Sequence, residues 1–318
     1  MILLVILAFL LDLILGDPYS WPHPVKAIGH FITFFQKRWN KPVFSETKRR
    51  RLGIYLWFLT IASTAFCAIV VLKLAYLLHP LIGTVLYVYL SYTTLAAKSL
   101  ASEAKKVYQC TAFGTLEEAR YQVSMIVGRS TEELTEEDIT KAAIETVAEN
   151  TTDGVIAPLM CLLIGGPVLA LAYKAVNTLD SMVGYLTPKY QAFGWFSAKM
   201  DDWVNWVPAR FTWVFLLLAA VVNRMDPIGA LKIGWRDRRK HKSPNSGFPE
   251  AVTAGALGIQ LGGTHTYHGT QVVKPTIGDP NRRVSVNMIL KTNRLMYTAS
   301  LVGLVILILL RLLIETIT

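Results

Sequence analysis

Carboxylates, amides and cations recur at spacings of three and four residues in several separate places along this chain. In Glu145-Thr-Val-Ala-Glu149-Asn150-Thr-Thr-Asp153 the two glutamates are four apart and share one helix face, and Asp153 extends the stripe if the helix reaches it. Like charges at that spacing repel, so the stripe calls for a partner, and Mg²⁺ takes carboxylates together with substrate phosphates. The competing reading is a solvated acidic face ending in a helix cap. The apolar run that follows at once favours the first reading.

A second stripe, Lys174, Asn177, Asp180 and Ser181, sits at the end of an apolar run. Polar groups at membrane depth are costly unless they pair or line a cavity, so four on one face point beyond a snorkelling lysine. A third stretch carries Asp201, Asp202, Asn205 and Arg210. Adjacent carboxylates diverge on a helix, whereas Asp202 and Asn205, three apart, can share a ligand. Trp195, Trp203, Trp206 and Trp213 read equally as an interfacial belt or as ligand contacts.

A fourth stretch runs from Arg236 through a basic segment to Ser243-Pro-Asn245-Ser246-Gly, and then Pro249-Glu250 in the expected first turn of a helix. Backbone amides at such a loop-to-helix junction, beside several cations, form an anion site; the basic run taken alone reads as cytoplasmic anchoring. Asp17 and His23 lie in a proline-punctuated loop that is either structural or functional, and His265-x-x-His268 is too sparse for a metal site. Cys67, Cys110 and Cys161 lack metal-ligand spacing. Phosphate-loop, dinucleotide, zinc-protease and hydrolase-elbow motifs are all missing.

The elements that must position these residues are membrane helices. Of 318 residues, 53% are hydrophobic and only 17% charged, where about a quarter is usual for a soluble domain. Apolar runs at roughly 1–15, 52–79, 81–97, 155–173, 211–223 and 295–314 predict an all-α polytopic bundle of four to six membrane helices, some re-entrant. The first run has no basic flank and reads as a retained helix. His79-Pro80 predicts a tight turn between antiparallel helices, and Gly165-Gly166-Pro167 breaks the fourth run.

The whole of 1–318 reads as one membrane domain, with a helical polar insertion at 98–154 and a basic loop region at 224–294. Thr115–Glu118 and Ser130–Glu133 each read as a capping box opening a helix. A further helix over 136–150 places Ile139, Ala143 and Val147 on one side. The net charge of +10 is concentrated in segments 16–51 and 224–294, which predicts that both are cytoplasmic in a multi-pass protein of the cell membrane. No pattern points to nucleic acid.

The strings GDPYSWPHPVKAIG, ETVAENTTDGVIAPL, KAVNTLDSMVGY, FGWFSAKMDDWVNWVPARFT and SPNSGFPEAVTAGALGIQLGG resemble, in the same order, the adenosylcobinamide-phosphate synthase family of cobalamin biosynthesis. The resemblance covers about residues 10 to 270. It implies an ATP- and Mg²⁺-dependent ligase that joins aminopropanol, or its O-phosphate, to a carboxylate of the corrinoid adenosylcobyric acid. Other pathway enzymes are then candidate partners.

In that reaction Glu145, Glu149, Asp153 and Asp180 would hold Mg²⁺. Glu149, Lys174, Asp180, Asp202 and Glu250 would be catalytic, with Asp202 or Glu250 taking the proton from the attacking amine. Asn150, Asn177, Ser181, Arg210, Arg236, Ser243, Asn245, Ser246, Asp17 and His23 would bind substrate or phosphate. A plain count of six spans puts 174–210 outside, away from ATP, and a re-entrant 155–173 segment brings it inside. The rival readings are a transporter, opposed by the missing inverted repeat, and a signalling membrane protein without catalysis.

Overall fold

The computed structural model describes residues 1–18, 20–128, 130–267 and 270–317, with the side chains of 264–273 excepted. The described residues form thirteen α-helices, one π-helical turn and one antiparallel hairpin: α1 (Ile2–Leu15), α2 (Pro24–Trp39), α3 (Glu46–Leu78), α4 (Pro80–Tyr92), α5 (Ala97–Phe113), α6 (Leu116–Ser124), α7 (Glu136–Thr151), the π turn (Thr152–Ile156), α8 (Ala157–Val183), α9 (Trp195–Val204), α10 (Trp206–Val222), α11 (Pro227–Asp237), α12 (Gly247–Leu257), β1 (Leu261–Tyr267), β2 (Thr270–Ile277) and α13 (Asn287–Ile317).

Four helical stretches are long and apolar enough to cross a membrane: Glu46–Leu78, Pro80–Phe113, Glu136–Val183 and Asn287–Ile317. A fifth is reached if Trp195–Val204 and Trp206–Val222 count as one. The all-α membrane bundle expected from the sequence is therefore observed. Only 17% of the apolar window of Glu46–Leu78 is buried. Tyr55, Phe58, Phe66, Leu74 and Leu77 all face outward on it, a surface that hydrocarbon tolerates and water does not.

The chain gathers into two compact units, Met1–Ala96 with Ala157–Asn205, and Ala97–Ile156 with Trp206–Thr318. In the first, α3 packs on α4, α8, α2 and α9. Its core joins Ile28, Ile32, Leu56, Ala175, Leu179, Val183 and Phe193. His79 ends α3 and caps α4, its Nδ1 accepting from Leu81 N–H at 3.1 Å, so one residue makes the expected turn. In α8 the break falls at Gly165 and Gly166. Gly166 has φ +63°, and a Cβ there would meet the Tyr87 hydroxyl at 2.6 Å, so only glycine fits.

The second unit holds both polar segments singled out in the sequence. The Thr115–Glu118 capping box opens α6 as expected. Ser130–Glu133 opens no helix; instead Thr135 and Asp138 form the reciprocal box that starts α7. Aspartate at the third helical position does the glutamate's work, and Glu136, Glu137 and Asp138 suit the positive helix end. Ile139, Ala143 and Val147 are fully buried along α7, on the side expected. Helix α12 packs against α11, α10 and α7. A Cβ on Gly255 would strike the Gly229 carbonyl, so these helices touch through backbone.

The hairpin was not expected from the sequence. Its strands pair Leu261 with Ile277 and Gly263 with Lys274, with an irregularity at Gly262. Gly262 has φ +69° and Gly263 φ +107°, which accounts for both glycines.

Candidate functional site

In the second unit, helix α7 brings its two glutamates against the segment that leads into α12 and against the hairpin. The Glu149 carboxylate accepts a 2.7 Å hydrogen bond from the Ser246 hydroxyl. Glu145, one turn earlier and buried, accepts from the Gly262 backbone N–H at 2.9 Å and lies 3.5 Å from the Lys274 ammonium. The face read from the four-residue spacing is thus real, and its like charges are offset by a hydroxyl, an amide and an ammonium.

The Ser243–Ser246 turn is ordered from within. Ser243 Oγ accepts from the backbone N–H groups of Asn245, at 3.2 Å, and Ser246, at 3.4 Å. The Ser243 N–H donates to His241 Nδ1 at 3.0 Å. That bond leaves the proton of a neutral imidazole on Nε2, which lies 3.9 Å from the buried Glu250 carboxylate. Burial lowers the His241 pKa, against the pull of Glu149 and Glu145. A Cβ on Gly247 would collide with the Arg238 carbonyl and crowd His241, so glycine lets α12 start there.

Arg210 reaches the same turn from α10, donating to Asn245 Oδ1 at 2.8 Å. Its guanidinium stacks between the rings of Trp206, at 4.5 Å, and Phe248, at 4.1 Å. At least one of the suspected belt tryptophans, Trp206, therefore orients the Arg210 side chain. Stacking fixes the plane of the fork, which suits recognition of an anion.

Arg236 behaves otherwise than expected. Its guanidinium donates to Asp237 at 2.7 and 2.8 Å and to Asp279 at 3.1 and 2.8 Å, so its charge is spent on two carboxylates rather than on phosphate. Asp237, fully buried, also takes Lys240 at 2.8 Å and the Gly278 N–H at 2.8 Å. Burial raises the Asp237 pKa, but the bonds from Arg236, Lys240 and Gly278 outweigh it and hold the carboxyl well below its usual range. This clamp ties the end of α11 to the segment after β2. Asn150 turns back to its own helix, donating to the Thr146 carbonyl at 2.9 Å, and Asp153 lies in the π turn.

The first unit holds the other stripe. Asn177 on α8 donates to Asp201 Oδ1 at 3.4 Å, a long bond, and Asn205 donates to Asp201 Oδ2 at 3.1 Å. Tyr173 donates to Asn205 Oδ1 at 2.8 Å. Asp201 therefore bridges Asn177 of α8 and Asn205 at the end of α9. Ser181 bonds back to the Thr178 carbonyl at 3.1 Å, as Thr178 does to that of Lys174 at 2.6 Å. Asp180 overhangs Gly184, where a Cβ would strike its carboxylate. His23 caps α2 through Nδ1 and lies 3.2 Å from Asp17 through Nε2, while Tyr92 and Tyr89 hold the loop at the Gly16 and Pro22 carbonyls.

No group of three or more His, Cys, Asp or Glu side chains among the described residues is disposed to enclose a metal ion. Glu145 and Glu149 fit Mg²⁺ only in its usual manner, as two oxygen donors sharing the ion with phosphate and water. His265 and His268 lie outside the described side chains.

The sequence matches the CobD/Cbib protein family over residues 5–296. The chain belongs to that family. It is 55% identical over 302 residues to the cobalamin biosynthesis protein CobD of Streptococcus sanguinis, covering 95% of each chain. It is 53% identical to the CobD of Listeria monocytogenes, covering 94% of this chain and 95% of that one. The cobalamin biosynthesis protein CbiB of Salmonella typhimurium is 49% identical, again with 95% of each chain covered. No solved structure matches.

Against the family's expected site, the turn, Arg210, Asn245, Ser246, Glu145 and Glu149 come together. His241, Lys274, Asp237 and Asp201 went unselected. His241 lies hidden in a run of cations, and Lys274 sits on a strand with no sequence signal.

Proposed function

We propose that the chain serves cobalamin biosynthesis as an ATP-dependent amide ligase, joining aminopropanol or its O-phosphate to a carboxylate of adenosylcobyric acid. The observation that carries this reading is the junction of Glu149 with the Ser243–Ser246 turn beside Arg210: a hydroxyl-rich turn, a stacked guanidinium and two carboxylates in one place. The names of the relatives support the pathway.

The chemistry fits that equipment. A carboxylate resists amines, so it first attacks the γ-phosphorus of ATP. A P–O bond forms, the bridging bond to the β-phosphate breaks, and ADP leaves. The amine nitrogen then forms the C–N bond. The C–O bond to phosphate breaks, inorganic phosphate departs with one former carboxylate oxygen, and the amine proton passes to a carboxylate. The turn's own amides point inward, to Ser243 Oγ and His241 Nδ1. Beside it Arg210 binds phosphate oxygens, a task in which positioned charge counts for more than acid–base strength. Mg²⁺ would be held by Glu145 and Glu149 and would supply neutralising charge for those oxygens.

Glu250, buried beside the His241 imidazole, is the proton acceptor in this scheme. Lys174, Asn177, Asp180, Ser181 and Asp202 on the first unit are assigned to substrate binding and catalysis, as are Asp17 and His23. The reaction runs on the cytoplasmic face of the cell membrane, where ATP is available. The test is turnover by detergent-purified protein supplied with Mg²⁺. ADP and an amidated corrinoid, weighed by mass spectrometry, should appear together only with both substrates. ADP release without either substrate, or amide without ATP, would refute the proposal.

A further inference from the structure

The first unit carries a cavity that the ligase reading does not use. About 560 Å³ in volume, it is lined by Glu46, Thr47 and Arg50 from the opening turns of α3, by Pro188, Gln191 and Ala192 from the α8–α9 connection, and by Trp195 at the start of α9. The connection is held in place. Gln36 donates to the Tyr190 hydroxyl at 2.7 Å and Asn40 to the Lys189 carbonyl at 3.0 Å, while Gly53 lets α3 lie against the Phe193 carbonyl.

Charge here is strongly unbalanced. Residues 37–51 carry Lys37, Arg38, Lys41, Lys48, Arg49, Arg50 and Arg51 against the single acid Glu46, and Lys189 adds an eighth cation. Among the described residues none of these eight forms an ion pair with a carboxylate. Arg50 is stacked instead on the Trp195 ring, 3.8 Å from its centroid. Stacking presets the guanidinium plane and leaves its edge to a ligand.

Directly beyond the cavity, α3 becomes an apolar membrane-crossing helix with exposed Tyr55, Phe58 and Leu59. Trp57, Phe58, Trp195 and Phe196 form a chain of ring contacts at that level. Cations, then aromatic rings, then aliphatic surface is the polarity profile of one phospholipid read from headgroup to tail.

We infer that this cavity binds the phosphate-bearing headgroup of an anionic phospholipid, with Arg50 and Trp195 at its centre and the acyl chains along α3. A free phosphate shares the headgroup's charge but lacks the tails, so the two are separable. The experiment uses the full-length protein, delipidated in detergent. Native mass spectrometry and thermal unfolding follow the addition of phosphatidylglycerol, phosphatidylcholine or inorganic phosphate. Phosphatidylglycerol should be retained and raise Tm, with phosphatidylcholine and phosphate giving neither effect. Arg50→Ala and Trp195→Ala should each weaken retention roughly tenfold. Arg50→Lys should fall between, and Lys106→Ala in the other unit should match the unaltered protein. Equal retention of phosphatidylcholine, equal protection by inorganic phosphate, or unchanged retention in Arg50→Ala would each overturn the assignment.

Discussion

The Ser246 hydroxyl and the Glu149 carboxylate, 97 residues apart in sequence, meet at 2.7 Å. The bond fastens the loop before α12 to the acidic face of α7. A charge-assisted bond of this kind contributes about 1.5–3 kcal/mol. Ser246→Ala should therefore lower Tm by a few degrees and kcat/KM for the ligase reaction roughly 10- to 100-fold. Steady-state kinetics beside a thermal unfolding curve checks this. A Tm drop with full activity in the surviving protein would make the bond structural only. Glu149→Gln removes the charge as well and should cost more, about 10²-fold or beyond.

Arg210 stands between Trp206 and Phe248 with its fork on Asn245. Lysine keeps the charge and loses both the planar stack and the fork. Arg210→Lys should raise KM for ATP by about tenfold while moving KM for the amine little. A uniform fall in kcat, with both KM values unchanged, would argue that Arg210 does not meet the nucleotide.

Asp237 accepts from Arg236, Lys240 and the Gly278 amide while fully buried. Asp237→Ala leaves Lys240 and the buried Gly278 amide unanswered and Arg236 with Asp279 alone, and should cost about 1–3 kcal/mol. Because bonding holds the folded carboxyl below its unfolded value of about 3.9, its contribution is present above that pH. The contribution is lost as pH falls further toward the depressed folded value. Thermal unfolding from pH 7 down to 3 should show the gap between the native protein and Asp237→Ala narrowing only at the acid end.

Asp201 accepts from Asn177 on α8 and from Asn205 at the end of α9. Asp202→Asn, at the carboxylate assigned to the reaction, should impair activity more than Asp201→Asn, by roughly tenfold. Parallel kcat/KM measurements on the two variants decide which carboxylate matters, and a larger loss at Asp201 would move the assignment to the carboxylate bonded to Asn177 and Asn205.

Packing provides a last check on the frame. Gly255 has no room for a side chain against the Gly229 carbonyl and Ala230 Cα. Gly255→Ala should destabilise the α11–α12 pair by about 1–3 kcal/mol, seen as a lower Tm, and should loosen the turn that α12 supports.

The sequence revealed those features whose signal is local. The four-residue spacing of Glu145 and Glu149, the Thr115–Glu118 box and the His79-Pro80 turn each depend on a few neighbouring residues. Ser130–Glu133 matched a capping box without opening a helix, because Thr135 and Asp138 supplied an equal cap directly before the periodic stretch. The hairpin was illegible because its start is marked by glycines, whose positive φ values appear only once the strands are paired. Spacing also could not tell which cations were spoken for. Arg236 and Arg210 look alike in sequence; one is consumed by Asp237 and Asp279, and the other is held in a stack beside the turn.

The most direct test of the ligase proposal follows one oxygen atom. Adenosylcobyric acid labelled with ¹⁸O in its reacting carboxylate would be turned over with ATP, Mg²⁺ and aminopropanol phosphate, and the inorganic phosphate analysed by mass. One ¹⁸O transferred to phosphate for each amide formed is the expected result. Amide formed with unlabelled phosphate would contradict activation of the carboxylate by ATP, and no amide at all from folded protein would contradict the ligase assignment itself.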